Sequence, residues 1–134
     1  MNRLFPEITS LRDVMRLARG GAIAGIVFAG ILFLEGLLGT ASVFPASFQL
    51  ATTGLETSLI LVLAWRVWSG RGLVSSILLM ALLVLATMRG LHDGAFGLAW
   101  MAAYFGLGLM MLNAIRASLR HDVYSDEAAD AQAA

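Results

Sequence analysis

Between Gly54 and Arg89 the chain holds two long apolar runs separated only by the turn Trp68-Ser-Gly-Arg-Gly72. Residues 73–88 contain no charge, and the run before the turn contains only Glu56 and Arg66. A helix needs about 20 predominantly apolar residues to cross roughly 30 Å of hydrocarbon. Two such runs joined by so short a turn must lie side by side and antiparallel. Composition points the same way: 59% of the 134 residues are hydrophobic and 13% charged. A soluble domain of this size carries about a quarter of its residues charged to cover its outside. The expected fold class is therefore all-α, a four-helix transmembrane bundle forming one domain.

The rest of the chain extends that hairpin. In residues 1–19, Leu11, Val14, Met15 and Ala18 fall at helical spacing between Arg12, Arg16 and Arg19, and Ser10 with Asp13 has the form of a capping box. This reads as a short amphipathic helix in the cytoplasmic headgroup layer, or more plainly as the cytoplasmic start of the first span, and the two shade into each other. Residues 20–39 are the first span, with Glu35 near its far end and Gly21 and Gly25 as a small-xxx-small pair suited to close helix approach. A basic front and a following Thr40-Ala41-Ser42 also outline a signal peptide, but the apolar stretch is long for one and contains Glu35. Phe44-Pro45 marks a break before the second span, about 48–68. Trp65, Arg66 and Trp68 then make the aromatic-plus-cation pattern of a headgroup boundary. The third span is 73–89 and the fourth 95–115, giving a transmembrane domain over 20–118. Residues 119–134 are acidic and alanine-rich and are expected to form a disordered cytoplasmic tail.

Four spans place Arg3, Arg12, Arg16, Arg19, Arg66, Arg71, Arg116 and Arg120 on one side and Arg89 alone on the other. The positive-inside rule then puts both termini in the cytoplasm of a bacterial cell, the protein being multi-pass in the inner membrane. The chain has no cysteine, which excludes disulfides, thiolate chemistry and Cys-ligated metal. His92 and His121 fall on opposite sides, so neither a metal centre nor a bis-His haem is expected within one subunit. A net charge of zero gives no field for nucleic acid. No phosphate loop, zinc spacing or Ser-His-Asp set is present, and no enzymatic activity is expected.

The charges that need explaining are Glu35, Glu56, Arg89, His92 and Asp93, all in or near the outer half of the membrane. A charge in lipid costs at least a few kcal/mol, so such residues face the bundle and pair. Arg89 is expected to pair with Glu56, with Glu35 close enough to share it. The plainer reading is an interhelical clasp that fixes register. The other is an outward-opening site for a polar headgroup, a quinone carbonyl or a proton, in which Glu56 moves the proton, Arg89 binds an anion or carbonyl and His92 relays at the surface. His92 and Asp93 taken alone read as a solvated turn, and His121 as a helix C-terminal cation. Trp65, Trp68, Trp100 and Tyr104 read as boundary or packing residues, and Met101, Met110 and Met111 as filler.

Glu56 early in the second span, the turn Ser69-Gly-Arg-Gly72, a span ending in Ala86-Thr-Met-Arg-Gly-Leu-His-Asp-Gly94 and an early Gly30-Ile-Leu-Phe-Leu-Glu-Gly-Leu-Leu-Gly39 together form a pattern. It resembles the DoxX-like family of small four-helix membrane proteins over about residues 20–115. The family commonly has a lysine near the end of its first span, where this chain has Glu35, and Leu-Gly after the second-span glutamate, where this chain has Thr57-Ser58. The small multidrug exporters share a membrane glutamate and a Trp-Ser-Gly stretch, but their acid lies in the first span and the spacing here does not fit. Family membership would imply a membrane subunit beside a quinol- or thiosulfate-linked respiratory complex, with Glu56 carried over. The expected role is thus a non-catalytic accessory or assembly subunit of a larger membrane complex, or part of a homo-oligomer. The alternative is a small transporter or quinone- or lipid-binding protein that uses Glu35, Glu56 and Arg89.

Overall fold

The computed structural model describes residues 4–38, 46–70, 72–92 and 97–134. Among them the chain is all-helical: α1 (Leu11–Leu38), α2 (Ala46–Trp68), α3 (Leu73–His92) and α4 (Leu98–Ala133). By length and composition α1, α3 and α4 can each cross a membrane. The fourth, α2, has 23 residues but collects Thr52, Thr53, Glu56, Thr57 and Ser58 in its first half.

Ser10 begins α1 as its sequence suggests. The Asp13 N–H donates to Ser10 Oγ at 3.3 Å, and the Asp13 carboxylate accepts from the Thr9 N–H at 3.3 Å and from both hydroxyls at 3.0 Å. These bonds satisfy donors that the first turn of any helix leaves open. From there α1 runs unbroken, so residues 11–19 form the first turns of the same helix, the plainer of the two sequence readings, and among the described residues no separate amphipathic helix precedes it. Nothing over 11–22 stops a helix: no proline intervenes, and the Gly20-Gly21 pair is held against α4.

The four helices form a ring in chain order, with α1 packed most extensively, on α4 and on α2, while α3 joins α2 and α4 on the far side. Small residues set how close α1 comes. A Cβ at Gly21 would collide with the Ala114 methyl and lie 3.4 Å from the Met110 carbonyl oxygen. At Gly25 it would lie 3.0 Å from Ala64 Cβ and 3.3 Å from Leu79 Cδ1, and at Gly36 it would collide with Thr53. The contacts run in reverse order along the two chains, Gly25 on Ala64 and Gly36 on Thr53, which fixes α1 and α2 as antiparallel. The Gly21–Gly25 pair thus serves two neighbours inside one chain. Phe28, Ile60, Leu79, Met111 and Val67 fill the axis, with Phe28 edge-on to Tyr104 at 6.0 Å and 81°. In a bilayer such contacts act through van der Waals packing, because lipid tails are as apolar as the core.

The α2–α3 turn is drawn into this packing. Gly70 has φ +79°, and a Cβ there would meet Met15 Sδ at 2.8 Å and His121 Cδ2 at 3.0 Å. Only glycine combines that backbone with that space. His121 is consequently buried against the turn, its Nδ1 3.4 Å from Asp122 Oδ1, and is not the helix-terminal cation its position in the sequence suggested.

The 36 residues of α4 extend for about 54 Å at 1.5 Å per residue, well beyond one bilayer core. Where a disordered tail over 119–134 was expected, the helix continues to Ala133. Two causes are visible. Alanine, which supplies five of the last seven residues, has the best helix propensity. The preceding turns also bind the N-terminal segment as a strap. Asn113 donates to the Leu4 carbonyl (2.9 Å), Arg116 covers the Phe5 ring (5.5 Å), and Arg120 and Tyr124 both donate to the Ile8 carbonyl (3.3 and 2.7 Å). Ile8 is buried with Val14 and Ala117 beneath them.

Gly21→Ala is expected to lose about 1–3 kcal/mol through overpacking against Ala114. Gly30→Ala, whose Cβ meets open space, is expected to be neutral or to gain up to about 1 kcal/mol of helix propensity. Denaturation midpoints of both variants in detergent micelles check this contrast.

Candidate functional site

At the end of the bundle away from most of the arginines, α1, α2 and α3 diverge around a cavity of about 240 Å³. Each helix contributes a stripe at helical spacing: Phe28 and Leu32 from α1, Glu56, Leu59 and Ile60 from α2, and Leu82, Leu85, Ala86 and Arg89 from α3. The walls are apolar except for one acid and one base, which enter from adjacent helices. Both charged side chains are exposed at the mouth, so the cavity opens to the surroundings between α2 and α3.

The expected cluster is thus gathered in part. Glu56 and Arg89 share one cavity. Glu35 stands almost one turn beyond Leu32, outside the lining but within the electrostatic reach of Arg89 and of Tyr104. His92 lies three residues past Arg89 at the end of α3, exposed and not part of the wall. Asp93 lies outside the described residues. The direct ion pair expected between Glu56 and Arg89 is not formed. Among the described residues the one contact of acid and base within 4.0 Å is that of His121 with Asp122. The physical reason is the space itself: the two side chains border a cavity instead of filling it. Phe28 and Leu32 were not singled out from the sequence, although Phe28, Leu32 and Glu35 follow the spacing of one helix face, and that signal was available.

An unpaired carboxyl and guanidinium across an apolar cavity form a complementary pair of anchors. The guanidinium offers a planar fork of donors to a carbonyl, carboxylate or phosphate oxygen. The carboxyl accepts from a hydroxyl or ammonium when ionised and donates when protonated. Among the described residues no group of three or more His, Asp or Glu side chains is placed to hold a metal ion. Comparison with family models, with curated proteins and with solved structures finds no match to this chain.

Because no direct bond links the two charges, a double-mutant cycle with Glu56→Gln and Arg89→Gln is expected to give a coupling energy below about 0.5 kcal/mol. Chemical unfolding of the four proteins in one detergent measures it. A coupling of several times that size would point to a closed clasp.

Proposed function

We propose that the protein is a four-span bacterial inner-membrane protein, both termini cytoplasmic, whose outer-half cleft binds the polar ring of a quinone-type amphiphile. The observation that carries this reading is the shared, apolar cavity between Glu56 and Arg89, two charges that do not neutralise each other. Its volume of about 240 Å³ suits a single polar ring, and its mouth between α2 and α3 leaves an isoprenoid tail in lipid. Arg89 holds one ring oxygen, and Glu56 bonds the other, accepting from a quinol hydroxyl when ionised or donating to a quinone carbonyl when protonated. Glu35 lies within the electrostatic reach of Arg89.

The orientation is supported by the ring of antiparallel helices. It gathers Arg12, Arg16, Arg19, Arg66, Arg116 and Arg120 at one end and leaves Arg89 at the other. In this arrangement α2 is the remaining span, with Thr53 against Gly36 of α1 and Glu56 bordering the cleft.

A second reading, a non-catalytic accessory subunit of a larger membrane complex, has one observation in its favour. Among the described residues, Gly30, Gly54 and Gly106 meet no atoms within 4 Å of an added Cβ, and so leave small-residue surfaces for another helix. The two readings separate at Glu56→Gln: ligand binding is lost in the first, and association with the complex is unchanged in the second.

For the quinone reading, the full chain in nanodiscs is titrated with a short-tailed quinone and its quinol by calorimetry. Arg89→Gln is expected to weaken both ligands about tenfold or more, as loss of a charged hydrogen bond does. Infrared difference spectra are expected to show the Glu56 carboxyl responding to the ligand. A carboxyl silent between about pH 4 and 9 and indifferent to quinone would contradict the reading.

Topology is tested in intact cells with a membrane-impermeant maleimide, against a chain that has no cysteine of its own. Gly97→Cys is expected to be labelled from outside, and Asp126→Cys only after lysis. The reverse pattern, or labelling of both in intact cells, contradicts it.

A further inference from the structure

The opposite end of α1 carries a feature that the cleft does not use. Arg12, Arg16, Arg19, Ile23 and Ile26 follow one another at steps of four and three residues and so form a single stripe. Its first part, with Leu11, Met15 and Gly20, lines a groove of about 720 Å³. Ile26 lines the next groove, about 390 Å³, with Leu61, Trp65 and Trp68 of α2. The two grooves are linked by the Arg19 guanidinium, which lies over the Trp68 ring at 5.5 Å.

The three arginines are exposed, and none has an acidic partner among the described residues. Asp13, the acid closest in sequence, already accepts from Thr9 and Ser10 at the helix cap. The bases of α4 at this end are committed elsewhere: Arg116 to Asn113 and Phe5, Arg120 to the Ile8 carbonyl. Thus Arg12, Arg16 and Arg19 form the cluster whose donors point outward together, and an apolar channel edged by indole rings continues directly from it.

We propose that this stripe is a binding site for one anionic glycerophospholipid, its phosphodiester on Arg12, Arg16 and Arg19 and one acyl chain along Ile23 and Ile26 beside Trp65. Three guanidiniums match a phosphodiester in charge and donor geometry. The tryptophans stand at the depth of the glycerol and upper acyl chain, where an indole is favoured. A free phosphate would use only the cationic half of the stripe, whereas a phospholipid uses both. The site is independent of the Glu56–Arg89 cleft.

The test uses the full chain with Trp100→Phe, which leaves Trp65 and Trp68 as the only indoles. Their fluorescence is followed in mixed micelles while brominated phosphatidylglycerol or brominated phosphatidylcholine is added. The anionic lipid is expected to quench at a roughly tenfold lower mole fraction, since each basic residue near a lipid surface contributes severalfold. Arg12→Gln with Arg16→Gln, which leaves the Arg19–Trp68 contact in place, is expected to bring the two lipids within about twofold of each other. Arg66→Gln, outside both grooves, is expected to retain the preference. Equal quenching by the two lipids in the parent, an unchanged preference in the double variant, or an equal loss in Arg66→Gln would overturn the proposal. So would a preference abolished by about 20 mM inorganic phosphate at constant ionic strength, which would mark a site for the free ion.

Discussion

Everything in this bundle depends on how closely α1 approaches its neighbours. A membrane offers little hydrophobic gain for bringing two apolar helices together, so association rests on packing at short range. Gly21 against Ala114, Gly25 against Ala64 and Gly36 against Thr53 supply that range on α4 and α2. With α1 seated so, Phe28 reaches Tyr104 and closes the axis, and α3 completes the ring through Leu79 and Leu83. Near the arginine-rich end the packing is dense enough that the α2–α3 turn must place Gly70 between Met15 and His121.

The same hub divides the molecule into two chemically different ends. At one, α1 and α2 hold an arginine stripe beside exposed tryptophans, and α4 straps down the N-terminal segment with Asn113, Arg116, Arg120 and Tyr124. At the other, the helices part just enough to leave a cavity with a carboxyl and a guanidinium at its mouth. The first end ties Asn113, Arg116, Arg120 and Tyr124 into local bonds. The second leaves a base and an acid unpaired within an apolar wall, an arrangement that is costly in lipid unless something polar occupies it. That cost is the physical argument for a ligand there.

Much of the helical organisation could be read directly from the chain. Long apolar runs, the Ser10–Asp13 cap and the glycine turn at Gly70 each have a local cause, and local causes are visible in sequence, while the break expected at Phe44-Pro45 lies outside the described residues. What depended on partners far along the chain was not. The end of α4 looked unburied because its composition is polar, yet Tyr124 is tied to Ile8, 116 residues earlier. His121 looked like a terminal cation because the helix was expected to end there. Residues 11–19 could be read as an amphipathic helix or as the start of the first span, because apolar spacing with interleaved arginines fits both, and only the packing of α1 on α4 shows one continuous helix. For the site, the sequence pointed to Glu56 and Arg89 as neighbours but supplied a pair where the structure has a space. Cavities arise from the spacing of whole helices, and no single residue carries that information.

The central claim, that α1 lies antiparallel and almost in contact with α2 inside a membrane, is tested most directly by an engineered disulfide. Gly25→Cys and Ala64→Cys would put two Cβ atoms about 3.0 Å apart, so a shift of α1 by about half an ångström brings them into the roughly 3.5–4.5 Å that a disulfide spans. Mild oxidation in native membranes should give a fast-migrating, reducible, intramolecular product in high yield. Failure to form it, or a product found only between two chains, would contradict the account.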